Sequence, residues 1–382
     1  MTRIQTTHVG SLPRPHELLD LMKARLSGQQ YDRERYESRV RAAVAQCVRQ
    51  QVDCGIDIVS DGEQSKPGFF TYVRERLAGF EPRPGKKVAF FDAERQAFPE
   101  YYEDYFKRAM TGGSIAPVVP MVCTGPVSYK GQEALLRDIE NLKAAVAAAG
   151  AKTAFMPSVA PSGVGSNEHY TSDEKFFFAV ADAMRQEYKA IVDAGLYLQI
   201  DDPFMTDNFQ DPALDERQQR RFAELHVESI NHALRGIPAE KVRFHTCYGI
   251  NEGPRVHDPA LDVVAPFFLK VNAGAYSFEA ANPRHEHEYQ YWKSAKLADD
   301  KVLLPGVITH ASNIVEHPEW IAERLARYAR IVGAERVIAS ADCGFSSQAT
   351  YKPEVHPSII WAKFKAMTEG ARLASKMTGS RS

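Results

Sequence analysis

The sequence predicts an α/β chain folded as a single (β/α)8 TIM barrel with an insertion after the second strand. Three observations carry the prediction. Short β-branched runs alternate with long amphipathic stretches eight times, the pattern of a closed parallel sheet. Polar and thiol groups gather just past those runs, where barrel enzymes keep their chemistry. The 382 residues, 44% of them hydrophobic, suffice for one barrel with large loops.

Taken in order, the predicted strands are Ile4–His8, Asp57–Ser60, Thr153–Ser158, Tyr197–Asp201, Val242–Cys247, Ala275–Glu279, Val302–Ile308 and Arg336–Ala341. The helices between them are read from their period. Lys175–Ala194 places Phe176, Val180, Met184, Tyr188 and Ile191 three or four residues apart and stops at Gly195. Glu133–Ala149 and Glu319–Val332 behave alike, the latter ending at Gly333. Such apolar stripes are core-facing surfaces. Two segments break the rhythm. Glu81–Gly112 is rich in Pro, Tyr, Phe and charge, and Pro117–Tyr129 offers an extra hairpin; together they predict an insertion over about 81–130 that covers one face of the barrel. The domain is expected to span residues 1–377, followed by a frayed polar tail at 378–382.

Composition excludes several classes. A net charge of -2 provides no basic field for nucleic acid or anionic lipid. The longest apolar runs are too short to span a bilayer, and the N-terminus lacks the apolar core of a signal peptide. Five scattered cysteines read as reduced thiols in a cytoplasmic protein rather than as a disulfide framework.

The strand ends hold the chemistry. They carry His8-Val9-Gly10-Ser11, Asp61-Gly62-Glu63, Asp201-Asp202-Pro203, His245-Thr246-Cys247, Glu279, His310 and Asp342-Cys343-Gly344. In a barrel stabilised by packing alone, Val, Ile and Leu would stand at such positions. His245 and Cys247, two apart on a strand, point to one face and can reach one ion, with Cys343 as a third ligand and Glu279 as a displaceable fourth. The alternative is that the triplet is two buried residues without a metal. Catalytic zinc takes such N/S sets and keeps one exchangeable position.

HTCY, a following strand that ends in Glu, and a terminal ADCG resemble the zinc site of the cobalamin-independent methionine synthase family. THVGSLPRP, SDGEQ, LQIDDP, PGVITH and IASADCGF extend the likeness over nearly the whole chain. HTCYGINEGPRVHD, YSFEAANPRHEHEY and ITHASNIVEHP resemble most closely the epoxyalkane:coenzyme M transferase branch of the same superfamily. The resemblance implies a zinc enzyme that activates a thiol for S-alkylation, with Zn²⁺ held by His245, Cys247, Cys343 and Glu279. It further implies that Ser11, Glu63 and Asp201 hold the amino-acid part of a homocysteine-like thiol and that His310 delivers a proton. Without it, Ser11 and Asp201 read as turn formers, Glu63 as a helix cap and His310 as a structural histidine.

Departures from the pattern bear on the methyl donor. The chain starts directly at the catalytic barrel, and Val164–Tyr170 holds no tryptophan where the long methionine synthases face a pterin. Folate is therefore doubtful as donor; a methylated corrinoid protein, an epoxide or a sulfonium remains open. Arg284 to His287 (RHEH) reads either as a solvated loop or as a patch facing an anionic substrate group. The leading expectation is a methyltransferase acting on a small-molecule thiol, with no nucleic-acid or membrane partner and its oligomeric state open. The alternatives are a coenzyme M-type thiol alkyltransferase or lyase, and a non-catalytic zinc-binding protein.

Overall fold

In a computed structural model, residues 3–86, 91–109, 113–115, 119–249 and 252–379 are described. Gly112, Pro117 and residues 380–382 of the predicted insertion and tail lie outside them. Eight parallel barrel strands form one sheet: β1 (Gln5–Thr6), β2 (Ile58–Val59), β3 (Thr153–Val159), β4 (Tyr197–Asp201), β5 (Val242–His245), β6 (Ala275–Phe278), β7 (Val302–Ile308) and β8 (Ile338–Ala341). From β2 to β8 each strand pairs with the next in sequence, and β8 pairs with β1, which gives a nearly closed (β/α)8 barrel. The seam between β1 and β2 has no ladder but is bridged: the Asp57 amide donates to the Thr6 carbonyl at 3.2 Å and the Thr7 hydroxyl to that of Ile58 at 3.0 Å.

All eight predicted strands are found, most of them shorter than read. β1, β2, β5 and β6 stop before their predicted ends, and β1, β2 and β8 start after their predicted beginnings. At the end of β1, Thr6 is held through its amide by Asp57 at 2.9 Å. The predicted helices sit as Gln132–Ala149, Asp173–Asp193 and Pro318–Val332. Ser172 caps the second of these, accepting from the Lys175 amide, so the helix starts earlier than its apolar period. Phe176, Val180, Met184, Tyr188 and Ile191 are all buried, as the period demands. The eighth strand is followed by helix Pro357–Gly379, which continues through Thr378 and packs on Pro318–Val332.

The insertion departs from its reading in one respect. Met121–Tyr129 does form a strand, but its antiparallel partner is Leu77–Pro82, which begins before the predicted boundary, and Ser166–Asn167 adds a third, parallel strand. The hairpin read within Pro117–Tyr129 is thus replaced by a pairing across some forty intervening positions. Between the two strands, helices Asp92–Ala97 and Pro99–Arg108 build an aromatic core of their own from Phe91, Tyr102 and Tyr105. That accounts for the Tyr and Phe content of the segment.

The barrel centre is unusually polar. Arg243 on β5 is buried, donates to the Thr7 hydroxyl at 2.8 Å and the His8 carbonyl at 2.7 Å, and stacks over Phe155 with its guanidinium 4.0 Å from the ring centre. These contacts tie β1, β3 and β5 together directly beneath the site.

Candidate active site

Strand register assembles the site. Asp201 lies opposite His245, and His245 opposite Ser277, so three adjacent strands present polar side chains at one level of the barrel mouth. Cys247 stands two residues past β5 and Cys343 two past β8. Their sulfurs are 3.3 Å apart, and the donor atoms of His245, Cys247 and Cys343 all lie within 4.8 Å of one another. All three residues are buried.

The histidine is set up as a ligand. Its Nδ1 is 3.1 Å from the Ser277 hydroxyl, and its Nε2 is buried without a partner. A ring that donates at Nδ1 keeps its lone pair free at Nε2 for a metal. Burial, reinforced by Arg243, lowers the imidazole to about 3 and keeps it neutral. The thiol of Cys247 is raised far above its ordinary value by the hydrogen bond from Cys343 and by burial. Two sulfurs in contact beside an orphaned imidazole nitrogen are a donor set that fits zinc, which displaces thiol protons outright.

Glu279, one residue past β6, belongs to an adjoining group. Its carboxylate, the His310 ring and the Asp342 carboxylate offer atoms within 4.8 Å of one another. Both oxygens of Glu279 accept from Arg255 Nη2 at 3.1 Å, Oε1 also accepts from the Tyr248 amide at 3.0 Å, and Oε2 from Asn282 Nδ2 at 3.3 Å. Burial alone would raise this carboxyl, but Arg255 outweighs it and holds the pKa down at about 2. Asp342 accepts from the amides of Ala280 and Ala281 at 2.8 Å through Oδ1, while its Oδ2 is buried without a partner. Burial and the nearby Glu279 lift Asp342 to about 7. His310, past β7, is buried, and burial lowers it to about 4 against the pull of Glu279.

The remaining predicted residues face the triad across a cavity. Ser11, Glu63, Asp201, His245, Cys247 and Cys343 all line one space of about 70 Å³, walled by Phe69, Phe70, Phe91 and Phe204. Glu63 has φ 55°, a left-handed conformation that a side chain rarely adopts and that marks functional sites. Its Oε1 is 3.3 Å from Lys66 Nζ and its Oε2 is buried without a partner. Asp201 is raised far above the carboxylate range by burial and by Glu63. Among the described residues lining this cavity there is no lysine or arginine. A second cavity of about 350 Å³ adjoins it, with Phe70, Phe91, Phe204 and Asp207 lining both. Gly249, at φ 93°, gives Phe91 its place: a Cβ there would lie 2.5 Å from the ring.

Thus the insertion does reach the site, through Phe91. Glu94 reaches it as well, accepting from the amides of Arg255 and His257 at 3.2 and 2.8 Å. Sequence reasoning missed Arg255, Glu94, Lys66 and Arg243. Arg255 stood in full view inside GPRVHD, but no spacing rule links it to Glu279. Of the RHEH segment, Arg284 donates to backbone carbonyls of Arg255 and Val256 and His287 is exposed. Its buried member is His285, held between Asp258 and Glu288 and stacked on Tyr248 with ring centres 3.9 Å apart.

Residues 4–107 and 158–360 match the family described as cobalamin-independent synthase, catalytic domain. The chain is 26% identical to a methionine synthase of Sulfolobus acidocaldarius over 345 residues, covering 90% of this chain and 86% of that one. It is likewise 26% identical to a methionine synthase of Thermococcus kodakarensis, covering 89% and 86%. A solved B12-independent methionine synthase from Shewanella sp. W3-18-1, in complex with selenomethionine, shares the fold at a TM-score of 0.74 and 21% identity, covering 98% of this chain and 99% of that one.

Proposed function

We propose, for a chain that belongs to the family of cobalamin-independent synthase catalytic domains, the transfer of a methyl group to the sulfur of homocysteine or a close amino thiol, with zinc as its metal. One observation carries the reading: the His245, Cys247 and Cys343 donor set and the Glu63 and Asp201 carboxylates line the same cavity. A molecule with a thiol at one end and an ammonium at the other bridges those two walls. Glu63 Oε2, buried and unpartnered, would accept from the ammonium, and the hydroxyls of Ser11 and Ser347, 3.1 Å apart, would serve the amino acid's carboxylate. A sulfonate thiol such as coenzyme M would meet carboxylates and no lining lysine or arginine, so the amino thiol is favoured. A storage protein would have no need of this substrate-shaped wall.

His245, Cys247 and Cys343 would hold the zinc. When bound, it would supply the Lewis acidity that keeps the acceptor sulfur deprotonated at neutral pH, where a free thiol is mostly protonated. The residues of the chain do the rest. Glu63 and Asp201 fix the amine, so the sulfur is presented in one orientation. Phe69, Phe70, Phe91 and Phe204 exclude bulk water from the reacting centre. His310, with its ring within 4.8 Å of the Asp342 carboxyl, would relay a proton from that acid, taking it up at one ring nitrogen as it gives the other nitrogen's proton to the leaving group of the donor, which would enter through the second cavity. The compartment that fits reduced thiols is the cytoplasm, and no described helix is long and apolar enough to cross a membrane.

The test is product analysis by mass spectrometry with the zinc-loaded protein, homocysteine, coenzyme M and a panel of methyl and alkyl donors. Methionine formed from homocysteine supports the reading. Alkylation of coenzyme M alone, or zinc bound with no product from any pair, refutes it.

A further inference from the structure

We propose that Lys66 is a positioning residue for recognition of the substrate's amine: it anchors one carboxylate oxygen of Glu63, so that the other stands free for an ammonium group. The inference rests on the amino-thiol reading above but concerns a residue to which that reading gives no role. Lys66 is buried and does not line the thiol cavity, so it reaches a substrate only through what it holds. Its three N–H groups have three partners within the protein. It donates to Glu63 Oε1 at 3.3 Å and to the Pro157 carbonyl on β3 at 2.6 Å, and its Nζ lies 4.2 Å from the centre of the Tyr72 ring. Of these partners only Glu63 lines the cavity.

The anchor is itself held in place. The Tyr72 hydroxyl donates to Glu187 at 2.6 Å and lies 3.0 Å from that of Ser158, and the Arg76 guanidinium stands 4.8 Å from the centre of the same ring. The backbone of Glu63 is fixed as well. Its amide donates to Asp61 Oδ1 at 2.9 Å, and its carbonyl accepts from Arg14 Nη2 at 2.9 Å and from the Lys66 amide at 3.0 Å. With φ at 55° and Oε1 tethered, the Glu63 side chain has few orientations left, and Oε2 keeps its place, buried and unpartnered. Such an oxygen is costly to leave unmatched, and an ammonium group matches it with a charge-assisted hydrogen bond. The charge of Lys66 also reaches Asp201, where it works against the burial and the Glu63 charge that raise that carboxyl. Both acids that face the amine thus answer to one lysine.

The experiment measures binding to the whole, zinc-loaded protein by calorimetry, with homocysteine and with 4-mercaptobutyrate, which is homocysteine without its amino group. Wild type should bind homocysteine at least about tenfold more tightly than the analogue. Lys66→Met should weaken homocysteine about tenfold and 4-mercaptobutyrate less than about twofold, while Lys66→Arg, which keeps the charge, should recover most of the loss. Placed in a Glu63→Gln background, Lys66→Met should cost nothing more, because the lysine acts through that carboxylate. A lysine serving stability alone would lower melting temperature and weaken both thiols alike. That pattern, unchanged binding of homocysteine, or losses that add in the double variant overturns the proposal while leaving the amino-thiol reading intact. A wild type that binds the two thiols equally, or neither, overturns both. If Lys66→Met does not fold, Lys66→Gln, which can keep the Pro157 contact, takes its place with the same expectations.

Discussion

At the scale of single residues, the site is a set of groups whose charge states are fixed by burial and by one partner each. The sulfurs of Cys247 and Cys343, 3.3 Å apart, are useful together and of little use singly. Replacing either by serine should reduce zinc from about one ion per chain to a small fraction, since losing a thiolate from a three-ligand site removes most of its affinity; metal analysis of the purified variants reads this directly, and full zinc with full turnover in both would refute the ligand assignment. His285 provides a pH test. Burial opposes its charge, but Asp258 and Glu288, at 3.0 and 2.9 Å, prevail and raise it to about 9. A raised folded pKa contributes stability that is complete below the unfolded value of about 6.5. It is lost as pH rises through about 9. Urea midpoints should therefore fall across that window in the wild type and fall less in His285→Gln. Residue types at strand ends were legible in the sequence because His, Cys and Asp are foreign to a packed barrel core. Arg255 and Lys66 were not, because their partners are set by three-dimensional approach rather than by spacing.

Among the elements, the barrel strands were legible and the insertion only partly so. A β-branched run of four or five residues between helices has one home in this fold, so all eight strands were found. Their ends were overread wherever side-chain hydrogen bonds replace the ladder, as at Thr6 and Asp57. The antiparallel pairing of Leu77–Pro82 with Met121–Tyr129 had no comparable signal, because its two halves are far apart in sequence and each alternates weakly. What the insertion contributes is a wall, and Gly249 is the hinge of that contact. With φ at 93° and the Phe91 ring where a Cβ would fall, Gly249→Ala is strained and displaces the ring. The variant should lower kcat/KM by roughly tenfold through a misplaced wall while the barrel remains folded. Steady-state kinetics beside a thermal melt checks it, and unchanged kinetics would show that Phe91 does not shape the site.

For the molecule as a whole, the metal and the fold are separable. The core draws on side chains from barrel strands β2 to β8 and most helices, so it does not depend on one small ion at its mouth. Apo protein prepared with a chelator should keep its far-ultraviolet dichroism, and zinc should add only the stabilisation expected of a ligand that binds the native state; collapse of the dichroism on chelation would instead make the metal structural. The same whole-molecule view bears on the donor. On the proposed reading it would reach the thiol through the second cavity, whose described lining includes Asp92, Asp207 and Asp211. Among the described residues its two cationic side chains are already engaged: Arg74 donates to the Val119 carbonyl, and Lys86 lies 2.8 Å from the Ser166 hydroxyl and 3.8 Å from Glu168. A chain of glutamates would find few free cations there, and Val164–Tyr170 along its rim offers no tryptophan to stack on a pterin. Binding such a donor would require either desolvating its carboxylates against acidic neighbours or breaking those existing contacts, and affinity falls in both cases. Methyl-tetrahydrofolate should therefore be a poor donor, and lengthening its glutamate tail should not lower its KM. Kinetics with the mono- and polyglutamylated forms against homocysteine settles the point: rapid turnover at micromolar folate, improving with tail length, would mean that the second cavity is a folate site after all, whereas slow turnover beside fast transfer from a methylated corrinoid protein or a sulfonium would assign it to a donor without an anionic tail.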